Sequence, residues 1–183
     1  MMRQPRLEIR PITARDAGAL AQLHTDSWRS TYRGILRDEY LDGDIGRERR
    51  AHWQSRFQCP TSGQFGLLAL CETVEVGFAF AFAGADARRG TLLDNLHVCP
   101  EWRGGGIGTR LLHAVAGHVM THHPGEGLFL WVYELNARTR AFYERLGAQK
   151  VEQAEITAPD GRTVAEWLYA WPKIDVLHRA TRS

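Results

Sequence analysis

Between Leu96 and Thr109 the chain reads Leu-His-Val-Cys-Pro-Glu-Trp-Arg-Gly-Gly-Gly-Ile-Gly-Thr, with glycine at 104, 105, 106 and 108. Four glycines in five positions cannot lie inside a strand or helix without a large entropic cost, so they form a loop. The flanks say what the loop joins. Thr91 to Val98 is an apolar strand that stops before Pro100, while Ile107, Leu111, Leu112, Val115 and Val119 recur at helical spacing. A strand that enters a glycine loop and opens a helix makes an anion site. Missing Cβ atoms admit a diphosphate, unpaired N–H groups at the helix start point at it, and the helix dipole adds attraction. Neither GxGxxG nor GxxxxGK[ST] can be laid on Gly104 to Thr109, which weakens nicotinamide-dinucleotide and nucleoside-triphosphate readings.

The rest of the chain reads around that loop. Leu7, Ile9 and Pro11-Ile12 predict a short strand ending before Thr13. Thr13 and Asp16 resemble a capping box for a helix carrying Leu20, Leu23, His24, Ser27 and Trp28 on one face. Asp38 to Leu41 predicts a short second helix, and Asp44 caps a third with Ile45, Trp53 and Phe57. Phe65 to Cys71 and Val74 to Ala83 read as a hairpin buried on both faces, with Gly84 to Gly90 as a polar loop. Leu128 to Tyr133 is a further strand. Asn136 caps a helix over Ala137 to Leu146 that Gly147 ends, and strands Gln149 to Thr157 and Val164 to Trp171 flank the Pro159-Asp160-Gly161 turn. No internal repeat or linker interrupts this order.

A chain of 183 residues suits one domain with one sizeable core. Apolar residues at 44% and charged residues at 24% disfavour disorder and coiled coil, and a net charge of +2 gives no support for a nucleic-acid partner. The longest apolar run, Val76 to Ala85, is half the roughly 20 residues of a membrane span, so no membrane association is expected. Met1 to Arg6 is charged rather than apolar, so no signal peptide is expected and the cytoplasm is the default location. Cys59, Cys71 and Cys99 are scattered, without CxxC spacing, and read as reduced thiols. His113, His118, His122 and His123 cluster near a helix end without a carboxylate or thiolate at ligand spacing, so no metal is expected.

Arg103, Gly106 and Gly108 fit Arg-x-x-Gly-x-Gly, and on those residues the sequence resembles the GNAT superfamily of N-acetyltransferases. Asn136 to Gly147, with Phe142-Tyr143 and the terminating Gly147, is similar to that family's closing motif, although Ala148 stands where an aromatic is common. The resemblance implies an α/β fold with a mixed, mostly antiparallel sheet of six or seven strands flanked by helices. It implies one domain over 1–183, with acceptor-side helices at about 13–58 and an acetyl-coenzyme A core at about 65–171. It also implies an acetyltransferase acting by direct attack in a ternary complex. The cosubstrate would be held by Leu96, Val98, Arg103, Gly104, Gly105, Gly106, Gly108, Thr109, Asn136 and Tyr143.

An alkyl ammonium titrates near 10.4, so amide formation needs a base, and the departing thiolate needs a proton donor. Asp94 occupies a place where some members of the family carry a carboxylate base. Period-two alternation puts it on the face of Leu96 and Val98, with His97 facing the other way as the next candidate. Tyr143 matches the family's proton donor, and Trp28 and Tyr32 correspond to the acceptor wall of similar proteins. Simple core packing is the plain alternative for each of these aromatics. The expected acceptor is a small-molecule amine. The alternatives are a protein N-terminal or lysine acetyltransferase and a non-catalytic acyl-coenzyme A module, and a homodimer is left open.

Overall fold

The computed structural model describes residues 6–182; the stretch from Met1 to Pro5, on which the leader-peptide reading rests, lies outside them. β1 (Leu7–Pro11) stops at its proline, and a single 3-10 turn at Ala14–Asp16 leads into α1 (Ala17–Thr31). Asp16 fastens this junction. Its carboxylate accepts the Thr13 backbone N–H at 2.7 Å and a two-pronged hydrogen bond from Arg10 at 2.7 and 2.9 Å. The helices α2 (Asp38–Asp42) and α3 (Ile45–Gln58) follow as the sequence predicts.

Seven strands form one sheet in the order β1-β2-β3-β4-β5-β7-β6. They are β2 (Gln64–Cys71), β3 (Val74–Asp86), β4 (Gly90–Val98), β5 (Leu128–Tyr133), β6 (Gln149–Thr157) and β7 (Thr163–Trp171). Every neighbour pair is antiparallel except β4 with β5. The helix α4 (Ile107–His122) is the crossover that this parallel pair requires, and α5 (Ala137–Arg145) links β5 to β6. One sheet face packs on α4, where Leu111, Leu112, Val115 and Val119 meet Ala79, Ala81, Leu128, Leu130 and Tyr169. The other packs on α1 and α3, where Leu20, Leu23 and Trp53 meet Leu68, Phe78 and Phe80. β2 and β3 are therefore covered on both sides, which is why they read as continuous apolar runs.

Three features depart from the sequence reading. β3 runs on to Asp86 through part of the expected loop, because Asp86 caps the tight turn by accepting the backbone N–H groups of Arg88 and Arg89, each at 2.8 Å. A sixth helix, α6 (Ile174–Ala180), buries Ile174 and Leu177 against the α4 side of the core. Asp94 is an extra residue in β4: Asn95 pairs with Phe80 and Leu93 with Ala81, so Asp94 has no partner across the ladder. This β-bulge breaks the alternation, and the expected placement of Asp94 on the face of Leu96 and Val98 is wrong. Its carboxylate reaches Arg56 of α3 on the opposite face.

The Arg10 hydrogen bonds hold the carboxyl of Asp16 down to about 2, from an ordinary value near 3.8. A depressed carboxylate stabilises the fold above its unfolded value and loses that contribution as pH falls through the folded value. Asp16→Asn is therefore expected to lower unfolding free energy at pH 7 by about 1–2 kcal/mol. Urea titrations from pH 5 to pH 2 should show the gap between wild type and variant closing.

Candidate active site

The geometry of the site starts where β4 and β5 part. They pair only at Thr91 with Leu128 and Leu92 with Phe129; beyond that the bulge at Asp94 turns β4 away, leaving the facing edges of Leu93–Val98 and Leu130–Tyr133 open. A cavity of about 680 Å³ fills the opening. Its floor is the edge of β4 with Leu96 and Val98, one end is the glycine loop, and α5 closes its flank with Asn136, Phe142 and Tyr143.

At the loop end, Gly104 and Gly106 adopt positive φ of 85° and 78°. A side chain in that region is strained, so glycine is required there for backbone reasons as well as for access. The backbone N–H groups of residues 104–109 have no acceptor among the described residues; the next, that of Arg110, donates to Gly106 at 3.0 Å. Six consecutive free donors at the start of a 16-residue helix are an anion cradle. Gly104, Gly106, Gly108 and Thr109 line the cavity; Gly105 does not.

Arg103 lies under this cradle. Its guanidinium donates to Val98 O at 3.1 Å and to the hydroxyls of Ser30 at 2.8 Å, Thr31 at 3.1 Å and Ser27 at 3.3 Å, which ties the loop to α1. No carboxylate pairs with it among the described residues, and burial, with Arg138 close by, lowers its pKa. Two cations held together without an anion are costly, and a bound diphosphate would offset that cost. Arg138 and the three α1 hydroxyls went unassigned in the sequence, although positions 27, 30 and 31 share one helical face.

Tyr143 is buried against the edge of Trp171, with ring centroids 5.9 Å apart, yet its hydroxyl has no protein hydrogen-bond partner among the described residues. Burial raises its pKa, so the hydroxyl keeps its proton at neutral pH. Asn136 caps α5 through its side-chain oxygen, accepting the Thr139 N–H at 3.3 Å, and also lines the cavity.

The opposite end of the cavity is built by α1, β4, β5 and β7. Tyr32 lines it and meets the edge of Tyr133 at 5.3 Å; Trp28 stands behind Tyr32, outside the cavity, with the Arg49 guanidinium 4.6 Å over its ring. Asp94 lines the same end. Arg56 and Asn95 both donate to its Oδ2 at 2.6 Å, and Oδ1 has no protein partner among the described residues. His97 is half-buried, and Ser27 Oγ lies 2.9 Å from its Nδ1. The same hydroxyl accepts from Arg103, so Ser27 links the guanidinium to the His97 ring. Burial, reinforced by Arg103 and Arg49, holds its pKa at about 3. That makes His97 a weaker base candidate than the sequence suggests. Glu166 of β7, unassigned in the sequence, also lines the cavity beside Tyr133.

Among the described residues no three His, Cys, Asp or Glu side chains group as metal ligands, and no helix is long and apolar enough to cross a membrane. Cys99 packs its Sγ toward Glu75 O, and burial raises its pKa, which disfavours a thiolate nucleophile.

A parted parallel pair, a glycine-rich anion cradle and a protonated tyrosine in one cavity define an acyl-transfer class of site. Residues 20–148 match the model of the acetyltransferase (GNAT) family, and the chain belongs to that family. It is 26% identical over 175 residues to "Uncharacterized N-acetyltransferase YuaI" of Bacillus subtilis, covering 92% of this chain and 95% of that protein. It is 28% identical over 146 residues to "Probable N-acetyltransferase Rv2775" of Mycobacterium tuberculosis, covering 79% and 80%. The fold superposes on that of the PaiA N-acetyltransferase of Thermoplasma acidophilum in complex with coenzyme A, at a TM-score of 0.67 and 22% identity over 88% of this chain and 98% of that one. The protein is an acetyl-coenzyme A-dependent acetyltransferase.

His24 and His52 also have lowered values, and with His97 they form a ring cluster between α1, α3 and β4. Histidines whose folded values lie below 6.5 stabilise the protein fully above pH 6.5 and lose that contribution as pH falls toward the folded values. Urea midpoints are expected to decline from pH 7 to pH 5, with His97 alone contributing about 1–2 kcal/mol. A His97→Asn protein should show a flatter decline.

Proposed function

We propose that the enzyme moves the acetyl group of acetyl-coenzyme A to a primary amine of a small molecule, by direct attack while both substrates are bound. The observation that carries this reading is that one cavity holds the requirements of both substrates. At one end are six free N–H donors with two cations, and at the other a carboxylate oxygen and a phenol hydroxyl. Bound acetyl-coenzyme A supplies the thioester carbon that the amine attacks. Residues Gly104 to Thr109 would hold its diphosphate, with Arg103 and Arg138 as charge support. The open β4 edge at Leu96 and Val98 would pair with the amides of its pantetheine arm, and the Val98 N–H would polarise the thioester oxygen.

Asp94 Oδ1 takes the ammonium proton in this reading, and Tyr143 returns a proton to the departing sulfur. Tyr32 forms the acceptor wall, with Trp28 backing it. Cys99 needs no covalent role. A small acceptor is favoured over a protein chain because the segment after α1 is tied down over the acceptor end. The Arg37 N–H donates to Asp160 at 2.7 Å, and Arg162 donates to both Asp160 and Ile35 O. A segment held down in this way leaves less room for a peptide than for a small amine. A cytoplasmic location belongs to the same reading, and the three free cysteines favour it.

Tyr143→Phe retains the ring packing, so folding and coenzyme A affinity should persist while kcat falls tenfold or more. An acetyl donor with a more acidic thiol should recover much of the lost rate. Wild-type kcat under conditions where chemistry limits the rate would reassign Tyr143 to packing. A Cβ at Gly106 meets no protein atom, so Gly106→Val costs the fold only the strain of its backbone, about 1–2 kcal/mol. The same change should abolish coenzyme A binding. Calorimetry on the folded variant with unchanged affinity would move the diphosphate elsewhere.

A further inference from the structure

Two carboxylates line the acceptor end of the cavity, and their surroundings differ. Asp94 has the Arg56 guanidinium 2.6 Å away. Glu166 has no ion-pair or hydrogen-bond partner among the described residues, although it is half-buried. It pairs across the sheet with Tyr133, whose ring meets Tyr32, so the half-buried carboxylate borders an aromatic wall of the cavity. A charge taken partly out of water without a counterion is unfavourable, and a ligand cation would offset that penalty. Tyrosine faces add to the attraction of a cation at this place. The opposite end of the cavity, with Arg103 and Arg138, has the reverse polarity.

The reacting nitrogen cannot be the lasting partner of Glu166, because it must be neutral when it attacks the thioester. A cation that stays charged through the reaction must sit on another part of the acceptor. We propose that Glu166 binds a second positive charge on the acceptor, so that the preferred substrates are amines carrying an ammonium or guanidinium group besides the nitrogen that is acetylated. This rests on the small-amine reading above. It assigns β7 a specificity role that the helices of the first third do not fill. Burial raises the pKa of Glu166 with no cation acting against it, in keeping with a carboxylate that awaits its partner.

The test compares acetyl transfer to 1,4-diaminobutane and to butylamine, which have the same carbon chain and differ in the second charge. Thiol release from acetyl-coenzyme A would be followed for wild type, Glu166→Gln and Glu166→Asp. Wild type is expected to favour the diamine at least tenfold in kcat/KM, chiefly through KM. Glu166→Gln should lose most of that preference while coenzyme A affinity by calorimetry is unchanged, and Glu166→Asp should keep part of it. Equal use of the two amines by wild type would overturn the proposal while leaving the small-amine reading intact. So would a Glu166→Gln protein that keeps the full preference, or one that loses coenzyme A affinity. No thiol release with any amine, charged or neutral, would sink the small-amine reading and this proposal with it.

Discussion

The site depends on one constraint, the short pairing of β4 with β5. Two residue pairs, Thr91 with Leu128 and Leu92 with Phe129, hold the strands together; past them the bulge at Asp94 carries β4 away. A parallel pair that continued to the strand ends would fill its edges with ladder hydrogen bonds and leave no room for a ligand. By stopping early it leaves two open edges facing a cavity, at the carboxyl ends of the strands where α4 and α5 begin. The same bulge swings Asp94 from the α4 face to the α3 face. One inserted residue thus creates the opening and sets a carboxylate at its acceptor end.

The cavity is polarised along its length by the same placement. At the loop end, helix-start N–H groups, Arg103 and Arg138 gather positive potential; at the other end Asp94 is paired with Arg56, and Glu166 is a carboxylate without a counterion among the described residues. Arg103 joins the two halves mechanically. Its guanidinium binds three hydroxyls of α1 and the carbonyl of Val98, so the glycine loop, the β4 end and the acceptor-side helix share one hydrogen-bonded hub. The Ser27 hydroxyl also meets His97, which is half-buried among rings and neutral at pH 7. His97 then serves to hold the wall rather than to titrate.

Much of this was legible in the sequence, for reasons that can be stated residue by residue. Gly104, Gly106 and Gly108 bracket the start of a strongly periodic helix, and nothing but a loop accommodates them, so the loop at a helix start is readable from the residues alone. Phe142-Tyr143 before Gly147 identified the flanking helix. The ladder, by contrast, hides its irregularities. No residue type around Asp94 announces a bulge, so alternation assigned the wrong face, and the long apolar β3 was cut short at Gly84 because glycine reads as a loop until a cap such as Asp86 is seen. Helix α6 is only seven residues long and its period is too short to register. Glu166 went unassigned because a lone carboxylate in a strand normally marks the solvent side. Only the register with Tyr133 shows that this side faces the cavity.

A division of labour follows from these placements. In the proposed reading the loop, the open β4 edge and Tyr143 deal with groups that every acetyl-coenzyme A molecule presents: diphosphate, amides and sulfur. They are backbone donors and a buried phenol, groups whose positions are fixed by the sheet and by two helix starts. The other end of the cavity is made of side chains from four separate elements, α1, β4, β5 and β7, near a loop pinned through Arg37 and Arg162. Side chains on different elements can change one at a time without disturbing the cradle. Keeping the cradle constrains the backbone, whereas in the proposed reading the choice of acceptor turns on which charges and rings, here Glu166, Tyr32 and Tyr133, stand around the far end of the cavity.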